Sequence, residues 1–385
     1  MSNSQGAFKF LGVSAGEIGY TLANRVASHR LPNSEVAVAG DKWLLSSALQ
    51  KLIRRGQISS AISVALTLHR LDPGYLARRL PIIAVEDVGV ADLGACVDVL
   101  TLCSSVKWWR DDVHRTIGFA VSSLANAVKC RAACDALCLG EAAGVLYGAD
   151  AGLMSASSTE LVDVAADRSA SLHARINALR ALGGVNVKEG RYYRCIRPAD
   201  LSALAEVTQR LELPASARWI MHRQARTGGL AAQLPIALEA AVGSRVTYGP
   251  RQLQSIAMID GVPMCAIDQF SEMGKSVLTT FFRQSARLVK FSERWTEPRR
   301  CTAVFSMALF HVESGILDRR LTSPMLDELT DETESLELRQ RGLKAGADRH
   351  EIYGILRGEL PRLHELRRAA ISGLRGSKAV AEDSK

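Results

Sequence analysis

Residues 260–275 hold the side chains best spaced for bond-breaking chemistry: Asp-Gly-Val-Pro-Met-Cys-Ala-Ile-Asp-Gln-Phe-Ser-Glu-Met-Gly-Lys. Asp268 follows an apolar run and precedes Ser271, a residue type that caps helix N-termini. A carboxylate at such a place can be held beside backbone N–H donors, which favour its ionised form. An ionised acid in a shielded site can stabilise an oxocarbenium ion and orient water, as cleavage of an N-glycosidic bond requires. Lys275 comes seven residues later, near the same face if one helix runs through both. It can assist electrostatically or act as a Schiff-base nucleophile. Asp268 can equally do no more than cap the helix that follows.

A second polar cluster comprises Lys51, Arg54, Arg55, Arg78, Arg79, Glu86 and Asp87. It has two readings. One is an internal ion-pair network that fixes helix packing. The other is a positive surface for phosphates, with Glu86 or Asp87 as reserve acids. Cys130, Cys134 and Cys138 fall at i, i+4 and i+8, one stripe of a helix. Such a stripe is usually core, and no fourth Cys or His follows at finger-like spacing. Neither H-E-x-x-H nor H-x-E…P-C-x-x-C occurs, which argues against zinc hydrolase and zinc deaminase chemistry. Gly274-Lys275-Ser276 matches the second half of a phosphate-binding loop, but Gln269 stands where the first glycine belongs. The expected chemistry therefore uses neither metal nor nucleotide.

Aromatic and basic residues also cluster. Lys188, Arg191, Tyr192, Tyr193, Arg194 and Arg197 form one loop-like stretch. Trp108-Trp109-Arg110, Trp219 with His222 and Arg223, and the run from Phe291 to Arg300 are others. Base stacking with phosphate contact needs this mixture. Lys51, Arg54, Arg55, Arg78, Arg191, Tyr193 and Arg194 are the expected DNA contacts. His311 and Glu313 lie on an apolar stretch, where His311 reads as a hydrogen-bonded core histidine.

Abundant Ala, Leu and Arg with few aromatics favour helices over sheets as the elements that position these groups. The expected fold is mainly α, a multi-helix bundle with a helical C-terminal half. An arm over 1–40 precedes a helical domain over 41–150. A helical domain over 151–320 carries the candidate active site, and a charged helical region with a disordered tail fills 321–385. The length of 385 residues suits two or three domains, and the net charge of +8 favours polyanionic partners. No apolar run reaches the roughly 18 residues of a membrane span. The N-terminus lacks the blocks of a signal peptide, so a cytoplasmic location with eight reduced cysteines is expected.

Residues 41–92 resemble the helical collar that follows the ATPase module in the replication-associated recombination protein A family of clamp-loader-like factors. The pattern is a K-x-x-R-x-G helix end, a D-P turn, an A-R-R helix and an E-D-[IV]-G-x-A-D ending. Lys51, Arg54, Gly56, Asp72, Pro73, Arg78, Arg79, Glu86, Asp87, Gly89, Ala91 and Asp92 match it. The ATPase motif itself is missing, and the match fades after residue 92. In overall character the chain resembles anti-phage DNA glycosylases that remove α-glucosyl-hydroxymethylcytosine. That resemblance implies base flipping from double-stranded phage DNA, a carboxylate-assisted cleavage and an abasic product. The alternatives are a non-enzymatic DNA-binding scaffold descended from the collar, and a partner subunit of a motor ATPase.

Overall fold

Asp41 starts the helix Lys42–Arg54 by accepting the backbone N–H groups of Trp43 and Leu44 at 2.9 and 2.8 Å. The helix closes where Gly56 N–H donates to Ile53 O and Gln57 N–H to Leu52 O. The next helix, Ile58–Leu71, ends at Asp72, whose carboxylate accepts Tyr75 N–H at 2.9 Å and so opens the helix Pro73–Ile83. Pro73 suits a first helical position because its missing N–H has no partner to lose there. Local capping and turn bonds thus mark ends of three successive helices.

The structure, a computed structural model, describes residues 15–30, 38–109, 112–147, 152, 155–189, 192–224, 229–249 and 257–382. It is mainly helical. The chain forms two compact units, each assembled from segments far apart in sequence. The first contains 1–31, 77–248 and 319–336; the second contains 32–76, 249–318 and 337–385. These units interleave along the chain, whereas the sequence reading divides it into consecutive blocks.

In the first unit the helices Leu93–Leu102, Val113–Asn126, Ala132–Tyr147, Leu172–Leu182, Ala215–Gln224 and Leu234–Ala240 supply most of the core. Leu100, Leu124, Leu139, Leu179, Trp219 and Ile236 are buried there. Within the stretch 188–197, expected as a loop, the described residues instead belong to two antiparallel strands, Val185–Glu189 and Tyr192–Arg197. Their runs V-N-V-K-E and Y-Y-R-C-I-R are rich in β-branched and aromatic residues, which strands favour. A second antiparallel pair joins Arg245–Tyr248 to Arg319–Thr322. The segment 15–28 of the expected arm is a helix.

The second unit is built on the long helix Arg349–Glu382. This helix packs against Glu272–Gln284, Ala286–Trp295 and Cys301–Leu309. Ile352, Leu356 and Leu363, spaced on one helical face, have no exposed surface. Phe282 and Phe305 meet edge to face with centroids 5.2 Å apart. Truncating one such leucine to Ala costs about 2–5 kcal/mol. The apolar helix expected over 301–320 stops at Leu309. A π-helical turn, Phe310–Ser314, follows it. The helix Arg349–Glu382 also runs into the last ten residues, where a disordered tail is expected. Among the described residues no helix is long and apolar enough to cross a membrane.

Candidate functional site

Asp268 lies in the second unit, in the turn between a short 3₁₀ segment, Met264–Ala266, and the helix Glu272–Gln284. Ser271 caps that helix by accepting Gly274 N–H at 3.1 Å. Asp268 Oδ1 accepts Phe270 N–H at 3.0 Å and lies 3.4 Å from the Ser47 hydroxyl. Gly274 packs directly on the Asp268 backbone, where any Cβ would overlap the Asp268 carbonyl and amide. The Gly-Lys-Ser triplet therefore owes its glycine to this close approach.

The cation beside Asp268 is Lys51. Its ammonium stands 2.6 Å from Asp268 Oδ2, with both side chains buried. Lys51 Nζ also donates to Ser47 Oγ at 2.6 Å, and the Ser47 hydroxyl donates to Ala266 O at 2.9 Å. The ion pair with Lys51 is the polar contact of Asp268 Oδ2. Over the pair sits Phe270, 57 % exposed, its ring centroid 5.3 Å from Lys51 Nζ. Phe270 in turn meets Phe310 edge to face at 6.1 Å. Lys275, the lysine expected near Asp268, instead pairs with Glu272 at 2.5 Å and is exposed. One helical turn past the cap, its side chain follows the solvent face of Glu272–Gln284.

A second buried carboxylate completes the polar interior of this unit. Glu313, on the π-helical turn, takes a two-pronged bond from Arg367 at 2.8 and 2.9 Å. Its Oε1 also lies 2.9 Å from His364 Nε2. Burial pushes the Glu313 carboxyl up, but the Arg367 guanidinium and the His364 bond outweigh it and hold the group at about 2. Arg367 Nε donates to Ile267 O at 3.0 Å, next to Asp268 in the chain. Ser314 Oγ donates to Cys265 O at 3.1 Å. Arg54 donates to Ser314 O at 3.1 Å and Arg55 to Glu313 O at 2.6 Å.

Lys51, Arg54 and Arg55 are therefore interior groups, at 3, 2 and 7 % exposure, and do not form the phosphate-facing surface expected of them. The reason is geometric. They follow the apolar residues Leu45, Leu49 and Leu52 into the core, and carbonyls and carboxylates meet them there. Arg78 is exposed, as a phosphate contact must be. Arg194 is exposed on the strand Tyr192–Arg197; Tyr193 belongs to the same strand, and Arg191 lies outside the described residues.

Glu86 and Asp87 belong to the first unit, on a π-helical turn, Ala84–Val88. Arg131 stands 3.1 and 2.8 Å from them. Cys130 N–H donates to Asp87 O at 2.9 Å. Gly89, with φ +52°, lets Cys130 O approach so closely that a Cβ would sit 2.7 Å from it. The E-D-x-G ending is thus a packing device, with Asp87 fully buried. Cys130 and Cys134 are buried, and burial pushes the Cys130 thiol up to about 11. Among the described residues no group of three His, Cys, Asp or Glu side chains is arranged to hold a metal ion. Trp219 is core and Trp109 donates to Leu102 O at 3.0 Å, so these two aromatics serve packing.

Sequence reasoning missed Arg367, His364 and Arg131. Arg367 carried a usable signal: it continues the stripe Ile352, Leu356, Leu363 at a spacing of four, so a charge falls on a core face. Comparison with protein-family models, curated proteins and solved structures finds no match to this chain.

Proposed function

We propose that this chain is a DNA N-glycosylase that excises a modified cytosine, glucosylated through its hydroxymethyl group, and leaves an abasic site. One observation carries the reading. Asp268 Oδ2 is a buried carboxylate oxygen whose polar contact is the Lys51 ammonium at 2.6 Å, under the exposed ring of Phe270. A base extruded from the duplex can stack on such a ring. As the bond from C1′ to the base nitrogen breaks, its electron pair leaves with the base. The Asp268 carboxylate then faces the cationic sugar, and Lys51 supplies a proton to the departing base. Water adds at C1′ and gives up its proton to the now neutral Lys51 amine, which restores the ion pair and completes the abasic product. The preorganised pair needs no reorganisation when this charge develops. The chain's net charge of +8 suits a DNA partner.

The test is base release from three duplexes, carrying unmodified, hydroxymethylated and glucosylated cytosine, with EDTA present and nucleotide absent. Mass spectrometry detects free base, and alkaline cleavage detects abasic sites. Release from the glucosylated duplex alone is the expected result. Release from none of them contradicts the reading.

A second reading has its own observation. Lys51 and Asp268 are 3 and 4 % exposed at their side chains, as befits a brace that holds helices together. In that reading the chain is a DNA-binding scaffold or a partner subunit of a motor ATPase. Tight DNA binding without base release, or a stable complex with an ATPase, distinguishes it.

A further inference from the structure

Residues 283–300 hold six cations against two carboxylates, Glu293 and Glu297, a net +4 in a chain whose whole net charge is +8. On the helix Ala286–Trp295, Leu288 and Phe291 are buried in the core of the second unit. Arg287, Lys290 and Arg294, at i, i+3 and i+7, share the exposed face. Among the described residues none of these three pairs with a carboxylate, whereas exposed Arg300 pairs with Glu297 at 3.5 Å. Like charges at such spacings repel, so packing alone gives no reason for the row. Its members are nonetheless held. Arg287 lies over Gly358 of the helix Arg349–Glu382, where a Cβ would stand 3.6 Å from its guanidinium. The Arg294 guanidinium lies 4.4 Å from the Trp295 ring centroid. A further cation arrives from far along the chain: exposed Lys344 donates from Nζ to Arg294 O at 3.2 Å and from its backbone N–H to Trp295 O at 2.9 Å.

A row of this kind fits a partner with regularly spaced negative charges. Guanidinium forks match phosphate oxygens in pairs. From Arg287 to Arg294 the helix rises about 10 Å. One strand of duplex DNA presents about three phosphates over that length. An anionic membrane would need large apolar side chains among the cations. Among the described residues of 283–300, Val289 alone is a large apolar side chain on the exposed surface, at 38 %. We propose that Arg287, Lys290, Arg294 and Lys344 form a surface that grips the phosphate backbone of duplex DNA without reading its bases. The inference rests on the proposed function for the choice of duplex DNA as the polyanion, and no bond-breaking step enters it.

Fluorescence anisotropy of unmodified duplexes, titrated with the full chain over a salt series, tests it. Arg287→Ala, Lys290→Ala and Arg294→Ala combined should reduce the slope of log affinity against log salt by about 2.7, roughly 0.9 for each lost contact. The loss should be equal on duplexes of different sequence. All three side chains are exposed, so circular dichroism and melting should be unchanged. Arg287→Lys with Arg294→Lys keeps the charges and should keep the slope. Glu293→Gln removes the carboxylate beside the row and should tighten binding. An undiminished slope in the triple alanine variant would overturn the assignment. So would a wild-type chain that sediments with phosphatidylserine vesicles and binds no duplex. Base release by the wild type, with the slope unchanged in the triple variant, would remove this surface and leave the proposed function standing. A slope that falls as expected, without base release from any duplex, would do the reverse.

Discussion

Lys51 Nζ stands 2.6 Å from Asp268 Oδ2, a buried contact between the first helix of the second unit and the turn before Glu272–Gln284. Among the described residues neither has a second ion-pair partner. Removing one charge leaves the other buried and alone, which costs about 3–5 kcal/mol. Lys51→Met should therefore lower the stability of the chain by that order. Lys51→Met combined with Asp268→Leu should recover much of the loss. Urea unfolding of the four proteins in this double-mutant cycle checks the coupling, and additive losses would mean that the two groups act separately.

Gly274→Ala tests how Asp268 is held. A Cβ at 274 collides with the Asp268 backbone, so the turn must shift or the helix start must unwind. Overpacking of this kind costs about 1–3 kcal/mol. A fall in melting temperature is expected, with loss of base release larger than stability alone explains. Exposed Lys275→Ala, one residue on, should change neither by a measurable amount. Equal effects from the two substitutions would remove the special role of the glycine.

Glu313 makes stability depend on pH. Its folded-state carboxyl titrates at about 2, below the usual value of 4.5. A depressed carboxyl stabilises the fold above its unfolded pKa, and that contribution disappears as pH falls through the folded one. The loss should therefore develop between about pH 4.5 and pH 2. Glu313→Gln should flatten this acid limb and, by stranding Arg367, cost about 3–5 kcal/mol at neutral pH. Chemical unfolding from pH 2 to pH 7 measures both. An unaltered acid limb in the variant would place the pH dependence elsewhere.

Under the proposed function, exposure separates the arginines that would touch DNA from those that hold the fold. Arg78→Ala and Arg194→Ala remove exposed cations, and each should reduce the slope of log binding against log salt by about 0.9 for one lost phosphate contact. The weakening should be uniform across sequences. Arg54→Ala and Arg55→Ala remove buried cations that donate to Ser314 O and Glu313 O, so they should lower the melting temperature and leave the salt slope unchanged. Filter binding at several salt concentrations, with melting curves, distinguishes the two sets.

Local chemistry was legible from the residues; long-range pairing was not. Asp41, Gly56, Asp72-Pro73 and Ser271 mark helix ends by side-chain type, and the helices begin and end at them. The mainly helical class follows from such signals. Lys275 was the lysine expected beside Asp268 because it is close in sequence, but Lys51 arrives there from another helix. Likewise Arg131, more than forty residues on, contacts Glu86 and Asp87, a pairing that sequence proximity does not reveal. Periodicity tells which face a residue occupies and is silent on which distant element meets that face. The strand pair Val185–Glu189 and Tyr192–Arg197 was hidden for a different reason: Tyr192, Tyr193, Arg194 and Arg197 read as a binding loop while their backbones pair as a strand.

The central claim is that the Asp268 carboxylate does chemistry. Its most direct test compares wild type with Asp268→Asn on duplex DNA bearing glucosylated hydroxymethylcytosine, in EDTA, by the rate of free-base release and by DNA affinity. The account predicts release by the wild type and a fall of a thousandfold order, ~4 kcal/mol in activation free energy, in a variant that still binds the duplex. Release by Asp268→Asn at the wild-type rate would contradict it.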